Sequence, residues 1–594
     1  MLAVETAMEI LSSSVTFTLL LITLITIILY KFLAGLHRQR TYWKNKNVPD
    51  INSVSSFGLG FKLLVRWISF VEYGDDMYNS FSNVKYFGTM DYNVPNLIIR
   101  DPELIREVTV KSFDHFTDHR PFIDPDIEPM FSKNIIMLRG DRWREMRNIL
   151  TPSFTANKMK FMFELILKCS REFVDYLYEH PEYASSLDAK DAFGRYTNDV
   201  IASTAFGINV NSMKDRDDEF FGMGKNVFAN IFGSVGKLML MNICPGLMKK
   251  LGIRLIPRDT ANFFRRIILE TLKTREEQGI VRPDMLNLLM QAKENEKLNG
   301  LQMTVDDIVS QAVIFFLGGY DSTSNLICYT AHELATNPNV QEKLREEIDR
   351  CLQECNGELS YEILSKMVYM DMVISETLRL YPAGIFMDRV CTRKFEFPPA
   401  GPGYDSATLY PGESIFFLVY AMHRDPKYFP DPEKFDPERF SEENKKNIVP
   451  YSYIPFGIGP RKCIGDRFAI MEVKILMAEL LRKFIIKPIE KTQIPIKFKR
   501  NSVTLTPEKG FWIGLEKRVS MTHGYMYVIF NCNVNYFLVQ TTIFKDSVNL
   551  ILLKRYLIFE YIILKFIALN HRRYNKTSDF LKRSVFQNVG YNVP

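Results

Sequence analysis

Residues 456–465 read FGIGPRKCIG, with a single cysteine, Cys463, set among Gly457, Gly459 and Gly465. Glycine lets a backbone turn sharply and pass close to a ligand. A cysteine thiolate holds a haem iron only where its chain runs close over the macrocycle, so glycines on both sides of a cysteine suit that task. The following run has the period of a helix, with Phe468, Met471, Ile475, Ala478 and Leu481 on one face. Cys463 therefore lies beside a helix N-terminus, whose dipole favours S⁻ over SH. Arg461 is placed to answer a haem propionate, and Phe456 to shield the sulfur from water. The alternative is a buried core cysteine in a glycine-rich turn.

The string matches FxxGxRxCxG at Phe456, Gly459, Arg461, Cys463 and Gly465. In this the chain resembles the cytochrome P-450 superfamily, whose haem-binding signature has that form. The resemblance implies a mainly α protein with small β-sheets, the cytochrome P-450 fold of a triangular helical domain plus a minor β-rich part. It also implies haem b (iron protoporphyrin IX) with Cys463 as axial ligand to the iron.

Other stretches extend the match. DRWREMRNIL, 141–150, puts Trp143 and Arg147 four apart on one helix face, resembling the WxxxR pair that meets a propionate. ETLRLYP, 376–382, sets Glu376 and Arg379 one turn apart. Alone that is an ordinary solvated pair, but PERF at 437–440 adds Arg439. The resemblance then implies a buried, mutually satisfied Glu376–Arg379–Arg439 set that fixes the fold around the cysteine loop. Arg389, in DRVCTR, matches a propionate-contacting position, and Ala383 to Met387 are implied to touch substrate. His423, in HRDP, reads as structural. DAFGRYTNDVIASTAFG and VRPDMLNLLMQAK resemble the insect microsomal branch, its ninth family in particular.

Thr304, with Asp306 and Asp307, is an N-cap and acidic first turn for a helix running to Asn337 and Pro338. At 1.5 Å per residue it is roughly 50 Å long. In its middle lies FFLGGYDSTS, and each glycine there costs about 1 kcal/mol relative to alanine. Room for dioxygen and substrate beside Gly318 and Gly319 is one reason to keep them; a purely mechanical kink is the other. Asp321 and Ser322 offer an acid and an alcohol in sequence, a short proton relay. This resembles the family's (A/G)GxxT oxygen-activation motif with serine in place of threonine, which retains the hydroxyl and loses a rotamer constraint.

The chain has 594 residues and a net charge of +6. Residues 519–594 hold nine Lys/Arg against three Asp/Glu, so residues 1–518 are neutral overall and offer no electrostatic case for nucleic acid. The eight cysteines lack CxxC spacing, which fits a reducing, cytosol-facing compartment. Residues 11–30, LSSSVTFTLLLITLITIILY, carry no charge and are long enough to span a bilayer as a helix. Lys31, Arg38, Arg40, Lys44 and Lys46 follow, so the positive-inside rule leaves residues 1–10 lumenal and the remainder cytosolic. A cleaved signal peptide is the alternative.

The expected organisation is an anchor at 11–30, a basic linker at 31–50 with Tyr42 and Trp43 at the membrane interface, and a haem domain at 51–518. Residues 85–100 suggest a small sheet, 120–140 a loop, 155–300 a run of helices, and 497–518 a hairpin. Residues 519–594 form an atypical extension expected to be weakly ordered, either an interfacial helix or a matter of how the chain end is defined.

The function implied is that of a microsomal monooxygenase in the endoplasmic reticulum membrane, acting on small hydrophobic substrates. No flavin or dinucleotide fingerprint appears, so electrons are expected from NADPH-cytochrome P-450 reductase, with cytochrome b5 as a further partner. Alternatives are a haem-thiolate isomerase or dehydratase acting on peroxides, and a non-catalytic haem or ligand binder.

Overall fold

Apolar residues recurring with helical period bury themselves best against other helices, and strands are left to the margins of this protein. A computed structural model of the chain describes most residues from 19 to 518, with breaks chiefly within 20–39, 52–66, 233–243 and 295–302. Beyond 518 it describes only the strands Met526–Cys532 and Asn535–Thr541. The chain divides into two units, 1–518 and 519–594.

In the first unit the elements that position the site are, in order, β1 (Tyr86–Asp91), β2 (Val94–Ile99), α1 (Gly140–Leu150), α2 (Ala156–Glu179), β3 (Leu187–Asp188), α3 (Ala189–Ile201) and α4 (Val305–Leu317). They continue with α5 (Thr323–Thr336), α6 (Pro338–Gln353), α7 (Val368–Leu380), β4 (Met387–Val390), β5 (Phe395–Phe397), β6 (Ala407–Leu409), β7 (Ser414–Phe417), α8 (Asp466–Lys483), β8 (Phe484–Lys487) and β9 (Trp512–Lys517). The main sheet has the order β1-β2-β7-β4, with β2 and β7 parallel and the other pairs antiparallel. β3-β9-β8 and β5-β6 are smaller sheets.

Helices α2, α3, α5 and α8 share a core that includes Phe163, Ile166, Phe193, Leu326, Ile475 and Leu476. All residues of α8 from Met471 to Leu481 are buried. The single apolar face legible in the sequence is thus part of a helix enclosed on every side, and its Lys474 is neutralised by Asp371 at 2.8 Å. α4 starts as expected at a capping box of Thr304 and Asp307. The long helix is not continuous: a π-turn, Gly318–Ser322, separates α4 from α5.

Glu376 and Arg379, both on α7, are fully buried and joined by two bonds of 2.8 Å. Arg379 also donates to the carbonyls of His423 and Lys434, at 2.9 and 3.2 Å. Arg439 reaches Glu376 at 3.3 Å and the Asp431 carbonyl at 2.7 Å, and the Asp436 N–H completes the carboxylate's set at 2.9 Å. His423 is buried in the same knot, its Nε2 accepting from the Ile454 N–H at 3.0 Å.

Three expectations are corrected. The supposed linker 31–50 belongs to the fold from Tyr42 onward. Trp43 is completely buried, donates to the Thr89 carbonyl at 2.8 Å, and fills space that a Cβ on Gly88 would enter. Tyr42, half-buried, bonds the Glu413 carboxylate. The aromatic pair therefore serves the β-rich core, not a membrane interface. The turn expected in 497–518 is confined to 497–508, where Phe498 bridges Pro507 and the Lys499 and Glu508 N–H groups bond the Thr506 and Lys497 carbonyls at 2.8 Å, while Trp512–Lys517 joins β8 and β3 instead. The loop 120–140 contains a short helix, Pro129–Ser132.

Residues 1–18 and seven of 19–39 lie outside the described residues, and with them most of the expected anchor. Among the described residues no helix is long and apolar enough to cross a membrane. Leu19, Ile22, Ile25 and Leu29 are helical and exposed. In the second unit the two described strands pair antiparallel; the rest of 519–594 lies outside the described residues.

Arg379→Leu removes both 2.8 Å bonds to the buried Glu376 carboxylate, leaving it only Arg439 and the Asp436 N–H, and is expected to cost about 3–5 kcal/mol, read by denaturant unfolding. Burial pushes the His423 imidazole down to about 3, against about 6.5 in an unfolded chain. Between those values only the unfolded state takes up the proton, so the stability is full above the unfolded value and is lost as pH falls towards the folded one. The decline in Tm between pH 7 and pH 4 should be shallower in His423→Gln.

Candidate active site

Two glycines shape the cysteine loop. Gly457 and Gly459 have φ of 75° and 73°, in the left-handed region that glycine alone enters without strain. A Cβ on Gly459 would lie 2.0 Å from the Thr109 carbonyl oxygen, so backbone meets backbone there. The Cys463 N–H closes the loop on the Phe456 carbonyl at 2.8 Å. Gly465 needs no such freedom; it is the N-cap of α8, with Asp466 the first helical residue.

The Cys463 side chain is exposed, yet it sits deep among protein atoms. Burial pushes its thiol up, opposed by the Gly465 N–H, Arg147 and Lys462, while Asp466 adds to the rise. Burial of the thiol thus works against the helix N-terminus, which favours the anion. A thiolate here calls for a further cation on the open side.

Three guanidinium groups crowd the same region. Arg147 shares the inner face of α1 with buried Trp143, and its charge is disfavoured by burial and favoured by Cys463. Arg389, on β4, is 2% exposed. Burial pushes it down to about 10. Its Nη1 donates to the Asp388 carbonyl, while its Nε is buried with no hydrogen-bond partner among the described residues. Arg461 falls to about 9, through burial first and then repulsion from Arg389, with Asp118 and Asp388 opposing. It donates to the carbonyls of Thr117, Ile135 and Leu138 at 2.8, 3.2 and 2.9 Å, and lies 4.0 Å over the Trp143 ring. Arg461 thus staples the cysteine loop to the 117–138 segment, a task its spacing does not reveal. His119 joins the group through Asp388, Nδ1 to Oδ1 at 3.0 Å.

On the helical wall Phe315 stacks on Phe154 at 6.0 Å, and Phe154 lies against Gly465, so one ring spans helix and loop. Gly318 faces open space: a Cβ there would meet nothing within 4 Å. Gly319 does not line the opening as expected; its Cβ would lie 2.8 Å from Ile201 Cδ1, and its smallness serves helix packing. Ser322 Oγ donates back to the Gly318 carbonyl. Asp321 is buried and turned the other way, taking Lys190 Nζ at 2.7 Å and Asn325 Nδ2 at 2.8 Å. No direct bond joins Asp321 to Ser322 among the described contacts. Lys190, Phe154 and His119 were invisible in the sequence because each meets the site from a distant stretch of chain.

A haem fits this donor set. Its two propionates would answer Arg147, Arg389 with its unpartnered Nε, and Arg461. Its iron would supply the cation that the Cys463 sulfur needs, under a loop whose backbone glycines keep flat.

A mainly helical domain, split at mid-helix by a π-turn and floored by a glycine-shaped cysteine loop in a cationic opening, has the form of a haem enzyme of the thiolate class. The family model described as Cytochrome P450 matches residues 62–513. Cytochrome P450 9e2 of Blattella germanica is 44% identical over 523 residues, 83% of this chain and 97% of its own length. Probable cytochrome P450 9f2 and cytochrome P450 9c1 of Drosophila melanogaster are 39% and 36% identical, over 80% and 84% of this chain and 95% and 98% of theirs. The chain belongs to the cytochrome P450 family and resembles its insect family-nine branch. It is a haem b-dependent oxidoreductase of the monooxygenase kind.

Gly459→Ala drives a Cβ into the Thr109 carbonyl and strains a left-handed backbone. The variant should keep its helical circular dichroism and lose most of its bound haem, measured as Soret absorbance per protein.

Proposed function

We propose that the protein is a microsomal haem-thiolate monooxygenase that inserts one atom of O₂ into small hydrophobic substrates, xenobiotic or endogenous and lipid-like. Its electrons come from NADPH-cytochrome P-450 reductase, with cytochrome b5 as an auxiliary donor. The observation that carries this is the exposed Cys463 beside Arg147, with Arg389 and Arg461 buried next to them. Haem bound there supplies dioxygen activation, which a thiolate ligand favours by pushing electron density towards the O–O bond.

The chain's own residues do the rest. Cys463 would hold the iron. Trp143, Arg147, Arg389 and Arg461 would hold the propionates, and the Phe456 carbonyl fixes the cysteine loop. Gly318 leaves room beside the reacting atoms. Ser322 Oγ presents a proton at the opening and Asp321 stands behind it as the acid, reached from solvent past Lys190, whose side chain is 33% exposed. Glu376, Arg379 and Arg439 keep the 431–439 segment against α7. Phe386, half-exposed in the 383–387 segment, is an apolar surface for substrate entry.

Lys462, Arg467 and Arg144 are exposed and basic near the cysteine loop, which suits an acidic reductase surface. The charge asymmetry around residues 11–30 supports an N-terminal anchor in the endoplasmic reticulum, with the haem domain in the cytosol.

The reduced protein should give the thiolate-type carbon monoxide difference spectrum. With reductase it should consume NADPH and O₂ in step with hydroxylation of an alkoxycoumarin probe. Cys463→Ala should abolish both. Survival of colour and turnover in that variant, or peroxide rearrangement in place of NADPH-dependent oxidation, would overturn the proposal.

A further inference from the structure

One stripe of α3 grips the π-turn. Lys190, Gly194, Thr197 and Ile201 are spaced four, three and four apart, which places them on one helix face. Each meets a residue of the turn: Ile201 packs on Gly319, Gly194 faces the Tyr320 hydroxyl, Thr197 bonds the Tyr320 carbonyl, and Lys190 bonds Asp321.

The Thr197 contact is the least expected. This residue is completely buried. Its Oγ1 lies 2.9 Å from the Tyr320 carbonyl and 3.1 Å from the carbonyl of Gly194 on its own helix. One hydroxyl proton cannot serve both fully, and the shorter contact crosses to the turn. The Tyr320 carbonyl already accepts the Thr323 N–H in the tight geometry that ends the turn. A second donor polarises that carbonyl and fixes its direction. A completely buried hydroxyl is costly unless bonded, and valine would fill the same volume without that cost.

We propose that Thr197 is a positioning residue for dioxygen activation: through the Tyr320 carbonyl it holds the π-turn in register, and so sets where Ser322 offers its hydroxyl. The proposal rests on the relay role given above to Asp321 and Ser322. α3 then acts as a clamp, with Ile201 setting the depth of the turn, Thr197 its register and Lys190 the direction of its carboxylate. Breaking a single bond in the clamp loosens the turn without emptying the site.

The test uses the haem-loaded enzyme with reductase and the alkoxycoumarin probe. Thr197→Val should leave the carbon monoxide spectrum intact while amides 319–323 exchange with deuterium about five- to tenfold faster, as expected for one lost hydrogen bond. Product formed per NADPH should fall severalfold, with the electrons recovered as hydrogen peroxide, and Thr197→Ser should restore both readouts. Thr197→Cys, a weaker donor of similar size, should fall between and serves where the valine variant loses haem. Thr330→Val is the control, since among the described residues that buried hydroxyl bonds only the Leu326 carbonyl on its own helix; its coupling should stay at the wild-type level. Wild-type exchange and coupling in Thr197→Val or Thr197→Cys, with Ser322→Ala uncoupled, would overturn the positioning role alone. Wild-type coupling in Ser322→Ala would overturn the relay beneath it.

Discussion

Three guanidinium groups and a thiol share one poorly hydrated opening, and that charge problem organises the rest of the molecule. Arg147, Arg389 and Arg461 repel one another. The nearby carboxylates offset them only in part: Asp118 meets Arg461 at 3.5 Å, and Asp388 is divided between His119 and the Arg120 N–H. A group with two anionic arms and a central cation would offset the charge that remains. Haem b is such a group. Its binding therefore answers the protein's electrostatics as well as supplying chemistry.

The two walls of the site are held by different means. On the cysteine side the constraints are in the backbone: two left-handed glycines, the close approach to Thr109, and an arginine tied to three carbonyls. Deforming that wall means breaking several strong geometric preferences together. On the helical side the turn is held by side-chain bonds from Thr197 and Lys190, each a small free-energy difference. A fixed ligand opposite an adjustable turn suits a reaction in which the sulfur must keep its place while the oxygen side accommodates substrate and protons.

Much of the cysteine wall was legible because it is local. Gly459 and Cys463 are four residues apart, so the spacing carries the geometry, and Glu376 with Arg379 is likewise a one-turn relation. Arg439 was legible only through resemblance, since no periodicity links it to Glu376 across more than fifty residues. The helical wall was half legible. Glycines at 318 and 319 announced a break but not which one faces the opening; that depends on Ile201, more than a hundred residues earlier. Trp43 misled for a related reason. Among basic residues after an apolar run an indole looks interfacial, whereas the structure spends it on Gly88 and the Thr89 carbonyl. In α8 the burial of Glu472, Lys474 and Glu479 depends on tertiary packing that no local spacing reveals.

Serine at position 322 ties these observations together. Its hydroxyl turns back to the Gly318 carbonyl, the i−4 bond that serine and threonine both form within helices. Threonine's methyl would restrict rotation about χ1 and hold the hydroxyl in one of few directions. Serine lacks that restraint, so its hydroxyl is freer to leave the carbonyl and to point elsewhere. Precision lost in the side chain has to come from the backbone that carries it, and that backbone is the π-turn. A serine relay therefore places a heavier demand on Thr197 and Ile201 than a threonine relay would, because fixing Tyr320 and Gly319 is the remaining way to limit where the Ser322 hydroxyl can go.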